Sequence, residues 1–282
     1  MKYSRDLARE QNPSEKFDEV INKQVADIAG VGATHIAIAT PYDQEFVPFL
    51  SRWVKVARAY KLKVWFRGNL SGWEGWFNYP RISREEHSAQ IVQFIKANGS
   101  LFENGDIFTA CPECENGGEG DPRLTGDVEG FRTFLIDEYK ASNSAFRSIG
   151  KNITVGYPSM NYDVAKLIMD TKTTSELGGV VAIDHYVKDP VQLARDVNEI
   201  AKSSGGKVFL GEFGAPIPDI HGEMTDEEQA AWIRAALTEL ENIPNLVGLN
   251  YWVSVGGSTQ LWSGGTAKPG VSVLTEFFRK KI

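Results

Sequence analysis

Short apolar runs alternate with amphipathic helical patterns along almost the whole chain, and this alternation constrains the fold more than any other feature of the sequence. Each run is apolar at consecutive positions, which is typical of strands in a parallel sheet whose two faces are covered by helices. Seven such runs occur, at residues 34–39, 63–66, 106–111, 152–156, 180–184, 207–211 and 246–252. Parallel strands need long crossover connections, and the spacing between these runs leaves room for them.

Helical patterns occupy the connections between these runs. Apolar residues recur there every three or four positions. Two of the patterns begin with a capping box, Ser83 with Glu86 and Thr225 with Glu228. The predicted helices span residues 13–30, 46–57, 84–95, 128–139, 164–169, 190–200, 226–240 and 271–278.

The strict alternation predicts an α/β fold of the (β/α)8 TIM-barrel type, and 282 residues suit one such domain over positions 1–282. The first barrel strand must then precede Pro13, where residues 2–4 are the candidate for a short, atypical strand. The alternative is an open doubly wound sheet. No G-x-G-x-x-G motif follows the first apolar run, which disfavours a dinucleotide-binding fold.

Charge and hydropathy exclude several classes of partner. The net charge of −7 and the pI of about 5.3 leave no basic stripe for nucleic-acid phosphates. No apolar run approaches the roughly 20 residues that span a bilayer, so we expect no membrane contact. The chain starts in polar sequence, which fits an intracellular protein, or a secreted or periplasmic one whose export signal is not in this sequence. We expect a monomer.

Cys111 and Cys114 form the only cysteine pair, in the order Cys-Pro-Glu-Cys. Such a pair can be redox-active or half of a zinc site, but a zinc site needs two further ligands. The chain has four histidines without metal spacing, at positions 35, 87, 185 and 221. We therefore expect two packed thiols near a strand end, and neither a metal nor another cofactor.

Glu212 ends the apolar run 207–211 in the segment Gly-Glu-Phe-Gly. The flanking glycines allow the backbone to turn and another molecule to approach closely. A carboxylate at the tip of a buried strand is more typical of a catalytic role than of a role in stability. The structural alternative is a solvated glutamate in a turn.

Polar and aromatic side chains follow the other predicted strands as well. In a barrel these strand ends share one face, where catalysis takes place. Paired carboxylates next to aromatic rings are what glycoside hydrolysis requires, because one carboxyl donates a proton and the other attacks or stabilises the anomeric carbon. The candidate set comprises Arg67, Asn69, Glu113, Glu115, Asn116, Tyr157, His185, Tyr186, Glu212, Asn250 and Trp252, with Trp73, Trp76 and Trp262 in loops.

With this pattern the chain resembles the clan A glycoside hydrolases, retaining (β/α)8 enzymes that include family five cellulases and mannanases. The resemblance implies a nucleophile at the end of the seventh strand and an acid/base glutamate at the end of the fourth. Those positions correspond to Glu212 and Glu113 if the first strand precedes Pro13. It also implies that His185 or Tyr186 bonds near the nucleophile and that Trp252 lies under the attacked sugar.

Two departures from the family pattern stand out. The family has asparagine before the acid/base glutamate, whereas this chain has Pro112, so another residue, such as Asn116 or Asn69, must bind the sugar 2-hydroxyl. Arg67 is the candidate for the family's arginine beside the nucleophile, although its strand number differs. Glu115 also competes with Glu113 for the acid/base role, and we favour Glu113 because it follows the strand directly.

The substrate expected from the sequence is a β-linked oligo- or polysaccharide of the glucan or mannan type, cleaved in endo fashion. The aromatic loop 71–80 suggests a wall for several sugar units. One alternative is a catalytically silent carbohydrate-binding barrel. A metal-dependent hydrolase using His185 is another, disfavoured because the histidines are not grouped.

Overall fold

The computed structural model describes residues 3–280, which contain fourteen α-helices and ten strands. The helices are α1 (Tyr3–Asp6), α2 (Ala8–Gln11), α3 (Phe17–Gly30), α4 (Val47–Ala59), α5 (Ser71–Glu74), α6 (Arg84–Ala97), α7 (Pro122–Thr125), α8 (Val128–Ser148), α9 (Tyr162–Ile168), α10 (Thr171–Glu176), α11 (Pro190–Ser204), α12 (Pro218–His221), α13 (Asp226–Leu240) and α14 (Pro269–Lys280). The strands are β1 (His35–Ile38), β2 (Lys63–Phe66), β3 (Ile107–Phe108), β4 (Thr154–Val155), β5 (Ser159–Asn161), β6 (Val180–Asp184), β7 (Lys207–Phe213), β8 (Leu246–Tyr251), β9 (Trp262–Ser263) and β10 (Thr266–Ala267).

Two four-stranded parallel sheets form the centre of the fold. Their strand orders are β1-β2-β3-β4 and β5-β6-β7-β8. In the first sheet Trp65 pairs with Ile107, and in the second Val208 pairs with Leu246. All seven predicted runs overlap one of these strands, so the prediction of an α/β fold with parallel strands is confirmed.

The prediction of a strand at residues 2–4 is wrong for the part that the structure describes. Tyr3 and Ser4 lie in helix α1, and Lys2 lies outside the described residues. The additional parallel strand is β5, which follows β4 after a kink. Tyr157 has a φ of +51°, so one extended segment becomes two strands that pair with different neighbours. Glu113 therefore follows the third described strand rather than the fourth, and Arg67 follows the second.

Both predicted capping boxes form, which explains where two of the longer helices begin. Ser83 Oγ accepts a hydrogen bond from Glu86 N at 3.2 Å, and Glu86 Oε2 accepts one from Ser83 N at 2.8 Å. Thr225 and Glu228 make the same reciprocal pair at α13. Each box satisfies two backbone N–H groups that a helix start leaves unpaired.

One contiguous apolar core joins the sheets to the helices around them. Side chains of the two sheets also meet beside a cavity, where the rings of Trp65 and Phe209 lie 5.0 Å apart. Strands β1 and β8 are each an edge strand of their sheet, and residues of both line this cavity of about 560 Å³. Within residues 3–280 no helix is long and apolar enough to cross a membrane.

Candidate active site

Glu212 lies near the end of β7, largely buried, with both carboxylate oxygens hydrogen-bonded. Arg67 Nη1 donates to Oε1, and the Tyr186 hydroxyl donates to Oε2 at 2.7 Å. Gly211 is required here by space, because a Cβ at position 211 would lie 2.5 Å from Asp184 Oδ1. The two donors fix the orientation of this carboxylate.

Glu113 reaches the same place from the segment after β3. It lies between Cys111 and Cys114, which form a disulfide with a Cα–Cα distance of 5.1 Å. The expectation of two packed free thiols is therefore wrong. Glu113 has a φ of +46°, and its backbone N–H donates to Ser159 O at 2.6 Å. A non-glycine residue in this region costs about 1–3 kcal/mol, which the surrounding contacts offset.

The carboxylates of Glu113, Glu212 and Asp184 form one cluster, with oxygen atoms of the three side chains all within 4.8 Å of one another. The pKa of Glu113 is raised to about 7, first by burial and then by the charge of Glu212, while Arg67 opposes the shift. The two glutamates thus lie in unequal environments, because Glu212 accepts from two donors and Glu113 has a raised pKa. Arg67 already supplies positive charge to two members of the cluster, so we do not assign a metal site to it.

Glu115 is a buried residue whose role is structural. It is 3% exposed, and its Oε1 accepts hydrogen bonds from Asn161 N at 2.7 Å and from Asn161 Nδ2 at 3.0 Å. Burial raises the pKa of Glu115 as well. Because one oxygen is tied to β5, the geometry favours Glu113 over Glu115 as the acid. Asn116 is exposed, and its backbone N–H donates to Glu113 O at 2.8 Å.

His185 does not face the cluster, contrary to expectation. Its Nε2 is 2.8 Å from Asp196 Oδ2, and its ring stacks on Tyr162 at 4.4 Å. Side chains alternate along an extended segment, so Asp184 and Tyr186 face the site while His185 faces the helices. Sequence reasoning missed Asp184. The sequence signal that could have found Asp184 is the two-residue alternation of side chains along an extended strand, which places it on the same side as Tyr186.

Trp73 is a core residue rather than a sugar platform. It is 1% exposed, its ring stacks on Phe134 at 5.1 Å, and its Nε1 donates to Cys114 O at 3.0 Å. Asn69 is also buried: it donates to Glu74 Oε1 at 2.7 Å and lies 2.7 Å from His87 Nε2. Both side chains support the loops around Glu113, and the expectation that they bind substrate directly is corrected.

Of two further aromatic candidates, Trp262 is buried and Tyr157 is partly buried. Trp262 is 6% exposed and belongs to the small β9–β10 pair. Tyr157 stacks on Phe209 at 5.2 Å between the two sheets. Burial raises the pKa of Tyr157. Neither ring is presented as an open platform for sugar.

Asn250, Trp252 and Trp76 remain accessible at this end of the strands, each partly exposed. Asn250 Nδ2 donates to Gly211 O at 2.9 Å, directly beside Glu212. Trp252 N donates to Phe213 O at 2.9 Å, which holds its backbone against β7. Trp76 lies under the Arg5 guanidinium at 5.0 Å. These are the side chains left to contact a ligand.

The burial of Trp73 leads to a prediction about stability. We expect Trp73→Ala to lower the free energy of unfolding by about 3–5 kcal/mol, because it removes a fully packed aromatic ring. Urea denaturation followed by circular dichroism measures this. Trp76→Ala is the matched control, and its partly exposed ring predicts a smaller loss. An unchanged unfolding midpoint for Trp73→Ala would restore the platform role.

Comparison with known proteins finds the fold but no sequence relative. No protein-family model matches, and the search of curated proteins finds no match. Among solved structures, a GH5_18 variant from Streptomyces cattleya in complex with Manb1-4GlcNAc has a TM-score of 0.67 at 14% identity, covering 94% of this chain and 76% of that one. A GH5_18 from Bifidobacterium longum subsp. infantis has 0.66 at 13%, covering 96% and 75%. A beta-glucosidase 1317 has 0.66 at 11%, covering 94% and 89%.

These similarities show a shared fold. Sequence identities of 11–14% are too low to support a statement about this protein's activity or substrate. The resemblance to clan A glycoside hydrolases that the sequence suggested is thus borne out at the level of fold.

Proposed function

We propose that this protein is a retaining glycoside hydrolase that cleaves β-glycosidic bonds by double displacement. The observation that carries the proposal is the closeness of Glu113 and Glu212, whose carboxylate oxygens come within 4.8 Å. Retaining enzymes hold their two carboxyl groups about 5–5.5 Å apart, whereas inverting enzymes separate them by roughly 6.5–9.5 Å to admit a water molecule. The short separation and the unequal environments of the two groups support retention.

In the proposed mechanism Glu212 is the nucleophile. Arg67 and Tyr186 hold its carboxylate ionised and oriented, so that it attacks the anomeric carbon. Glu113 gives its proton to the departing glycosidic oxygen. It then removes a proton from the water that hydrolyses the glycosyl-enzyme, and the free sugar leaves with its configuration retained.

We propose a β-linked oligo- or polysaccharide of the glucan or mannan type as substrate, cleaved in endo fashion. Trp252 and Trp76 are partly exposed aromatic side chains in the segments after β8 and β2, and sugar rings stack their apolar faces on such surfaces. The Manb1-4GlcNAc bound to the GH5_18 neighbour is a β-mannoside, which agrees with the mannan alternative.

We further propose that residues 1–282 form one catalytic domain, in which the two sheets are halves of a (β/α)8 barrel that acts as a monomer with carbohydrate as its partner. The contiguous core supports one domain. The contact of Trp65 with Phe209 across the two sheets supports a common interior. Active sites of such barrels lie at the carboxyl ends of the strands, where the cluster is found.

A substrate screen tests the proposed activity. The protein is incubated with aryl β-glucosides and β-mannosides, and with β-glucan and β-mannan, and reducing ends are measured at pH 5–7. Proton NMR of the first product then reports its anomeric configuration. A β-product supports retention, and an α-product rules out double displacement. Binding to a polysaccharide without any product would favour the silent carbohydrate-binding barrel, a reading that Pro112 in place of the family's asparagine keeps open.

The raised pKa of Glu113 predicts the alkaline limb of the pH profile. Because its pKa is raised to about 7, Glu113 is protonated below that pH and loses its proton above it. We expect kcat/KM to fall as the pH rises through about 7, approaching a tenfold loss per pH unit well above it. The pH dependence of kcat/KM, measured with a substrate that has a poor leaving group, gives this alkaline limb. A flat profile from pH 6 to 9 would contradict the assignment.

A further inference from the structure

The proposed acid/base lies inside a small disulfide ring. Cys111 and Cys114 are joined through their sulfur atoms, and the ring that they close contains Pro112 and Glu113. The two cysteines are 3% and 2% exposed, so neither side chain offers a surface to a substrate. They are the only cysteines of the sequence, so a thiol reductant has no other disulfide within the chain to act on.

The short span of the disulfide indicates a local role rather than a role in overall stability. A disulfide that restricts the unfolded chain stabilises the fold more when it encloses a longer loop. This one links residues only three apart in the sequence. It therefore constrains the backbone of one turn far more than it constrains the unfolded chain.

The backbone inside this ring has a conformation that a residue with a side chain seldom adopts. Glu113 is left-handed, with a φ of +46°, and Pro112 before it has its own φ fixed near about −65° by the proline ring. Glu113 N donates to Ser159 O at 2.6 Å, and Glu113 O accepts from Asn116 N at 2.8 Å. This conformation brings the Glu113 carboxylate to within 4.8 Å of the Glu212 carboxylate. The geometry of the ring thus sets the direction of the proposed acid/base.

Buried side chains hold the ring from the side away from the carboxylates. Asn69 Nδ2 donates to Cys111 Sγ at 3.5 Å, and Trp73 Nε1 donates to Cys114 O at 3.0 Å. Asn69 Oδ1 in turn lies 2.7 Å from Nε2 of His87, a fully buried residue of helix α6. Both cysteines are therefore attached to the segment that follows β2, and the disulfide connects these two attachments around Glu113.

Resting on the proposed hydrolase function, we propose that Cys111 and Cys114 are positioning residues whose disulfide directs Glu113 at the leaving-group oxygen, so that proton donation depends on the oxidised pair. A dithiol reductant opens the ring. Its two thiols give up two electrons and two protons and close to a cyclic disulfide, while the S–S bond of the protein becomes two thiols. Glu113 can then leave the left-handed conformation, whereas the two donors to Glu212 stay in place.

The double variant Cys111→Ser/Cys114→Ser removes the bond with little change in side-chain size. For a β-glycoside with a poor leaving group we expect kcat/KM to fall by about 10²-fold, because a misplaced general acid donates its proton poorly. For a dinitrophenyl β-glycoside, which needs little protonation, kcat/KM should be nearly unchanged. An equal loss on both substrates would overturn the positioning role, because a general disturbance of the site does not depend on the leaving group.

Reduction of the unaltered protein with dithiothreitol is the second form of the experiment, and it keeps the test open if the double variant fails to fold. The reduced protein should show the same dependence on the leaving group as the double variant. The double variant treated with the same reductant is the matched control, and its activity should not change further. Alkylation followed by mass spectrometry counts the free thiols. Two free thiols in the protein before reduction would exclude the disulfide and overturn the inference.

Amide hydrogen exchange needs no substrate and so separates this inference from the proposed function. The protein is labelled with ¹⁵N-glutamate, and the Glu113 signal is assigned by its absence in Glu113→Gln. In the oxidised protein the hydrogen bond to Ser159 O should protect the Glu113 amide. After reduction we expect this amide to exchange at least about tenfold faster through local opening, while the amide of Glu199 within helix α11 stays unchanged.

Circular dichroism establishes whether the reduced protein remains folded. Unchanged exchange at Glu113 in the folded, reduced protein overturns the inference whether or not glycosides are hydrolysed. Loss of the whole fold on reduction also overturns it, because the disulfide would then support the entire structure rather than one turn. If reduction releases the Glu113 amide but the oxidised protein cleaves no glycoside, the proposed function fails alone.

Discussion

Glu212→Ala is expected to lose hydrolysis by at least about 10⁴-fold in kcat, because no other group can attack the anomeric carbon from the same position. Azide should restore part of the turnover of an aryl β-glycoside, since the small anion fits the space that the side chain leaves. Attack by azide from that side inverts the anomeric centre once, so the product should be the α-glycosyl azide. Product NMR identifies it.

Glu212→Gln is the matched comparison for this experiment. The amide keeps the size of the side chain, its oxygen can accept from Arg67, and its NH2 group can donate to the Tyr186 hydroxyl oxygen, so the fold should be retained. It fills the space that azide needs, and we expect inactivity without rescue. Glu199→Ala changes an exposed carboxylate that pairs with Lys166 at the surface, and its activity should equal that of the unaltered protein. Undiminished hydrolysis in Glu212→Ala would refute the nucleophile assignment.

Glu113→Ala is expected to lose about 10²–10⁴-fold on substrates whose leaving group needs a proton, the usual contribution of a general acid. Dinitrophenyl β-glycosides need little protonation, so their glycosyl-enzyme should still form and accumulate. Azide can then attack this intermediate without a base and should yield the β-glycosyl azide. The opposite configurations of the two azide products distinguish the acid/base from the nucleophile.

Glu115→Gln is the control for Glu113→Ala, because Glu115 is a buried glutamate two residues away. Its Oε1 holds Asn161 at the end of β5, so we expect lower thermal stability without any dependence on the leaving group. The leaving-group dependence is measured as a Brønsted series of aryl glycosides. If Glu115→Gln shows that dependence and Glu113→Ala does not, the two glutamates exchange roles.

Much of the fold could be predicted because its signals are local. The capping boxes at Ser83 and Thr225 and the apolar runs report on residues that are close in sequence, and the structure contains a helix or strand at each of them. The strand β5 was missed because it is only three residues long and follows Pro158. Its existence depends on hydrogen bonds to β6, which no local pattern encodes.

The candidate site, like the fold, could be predicted from the sequence only in part. Glu212 stands out in the sequence because a carboxylate between glycines at a strand end contradicts local burial. His185 and Trp73 were misjudged because residue type does not reveal which way a side chain points. His185 turns to Asp196, and Trp73 turns to Phe134. Asp184 was overlooked because an aspartate at the end of a strand is unremarkable until Arg67 is placed beside it.

The sequence by itself determined the alternation of strands and helices, the exclusion of a basic nucleic-acid surface, and the candidacy of Glu113 and Glu212. Only the tertiary structure decided that these two carboxylates share one site with Asp184, and that Arg67, 145 residues from Glu212 in the chain, donates to Glu212. The physical reason is that strand propensity and hydrophobic period act over a few residues. The ionisation of a buried carboxyl depends instead on every charge within a few ångströms, and the packed fold brings those charges together from distant segments.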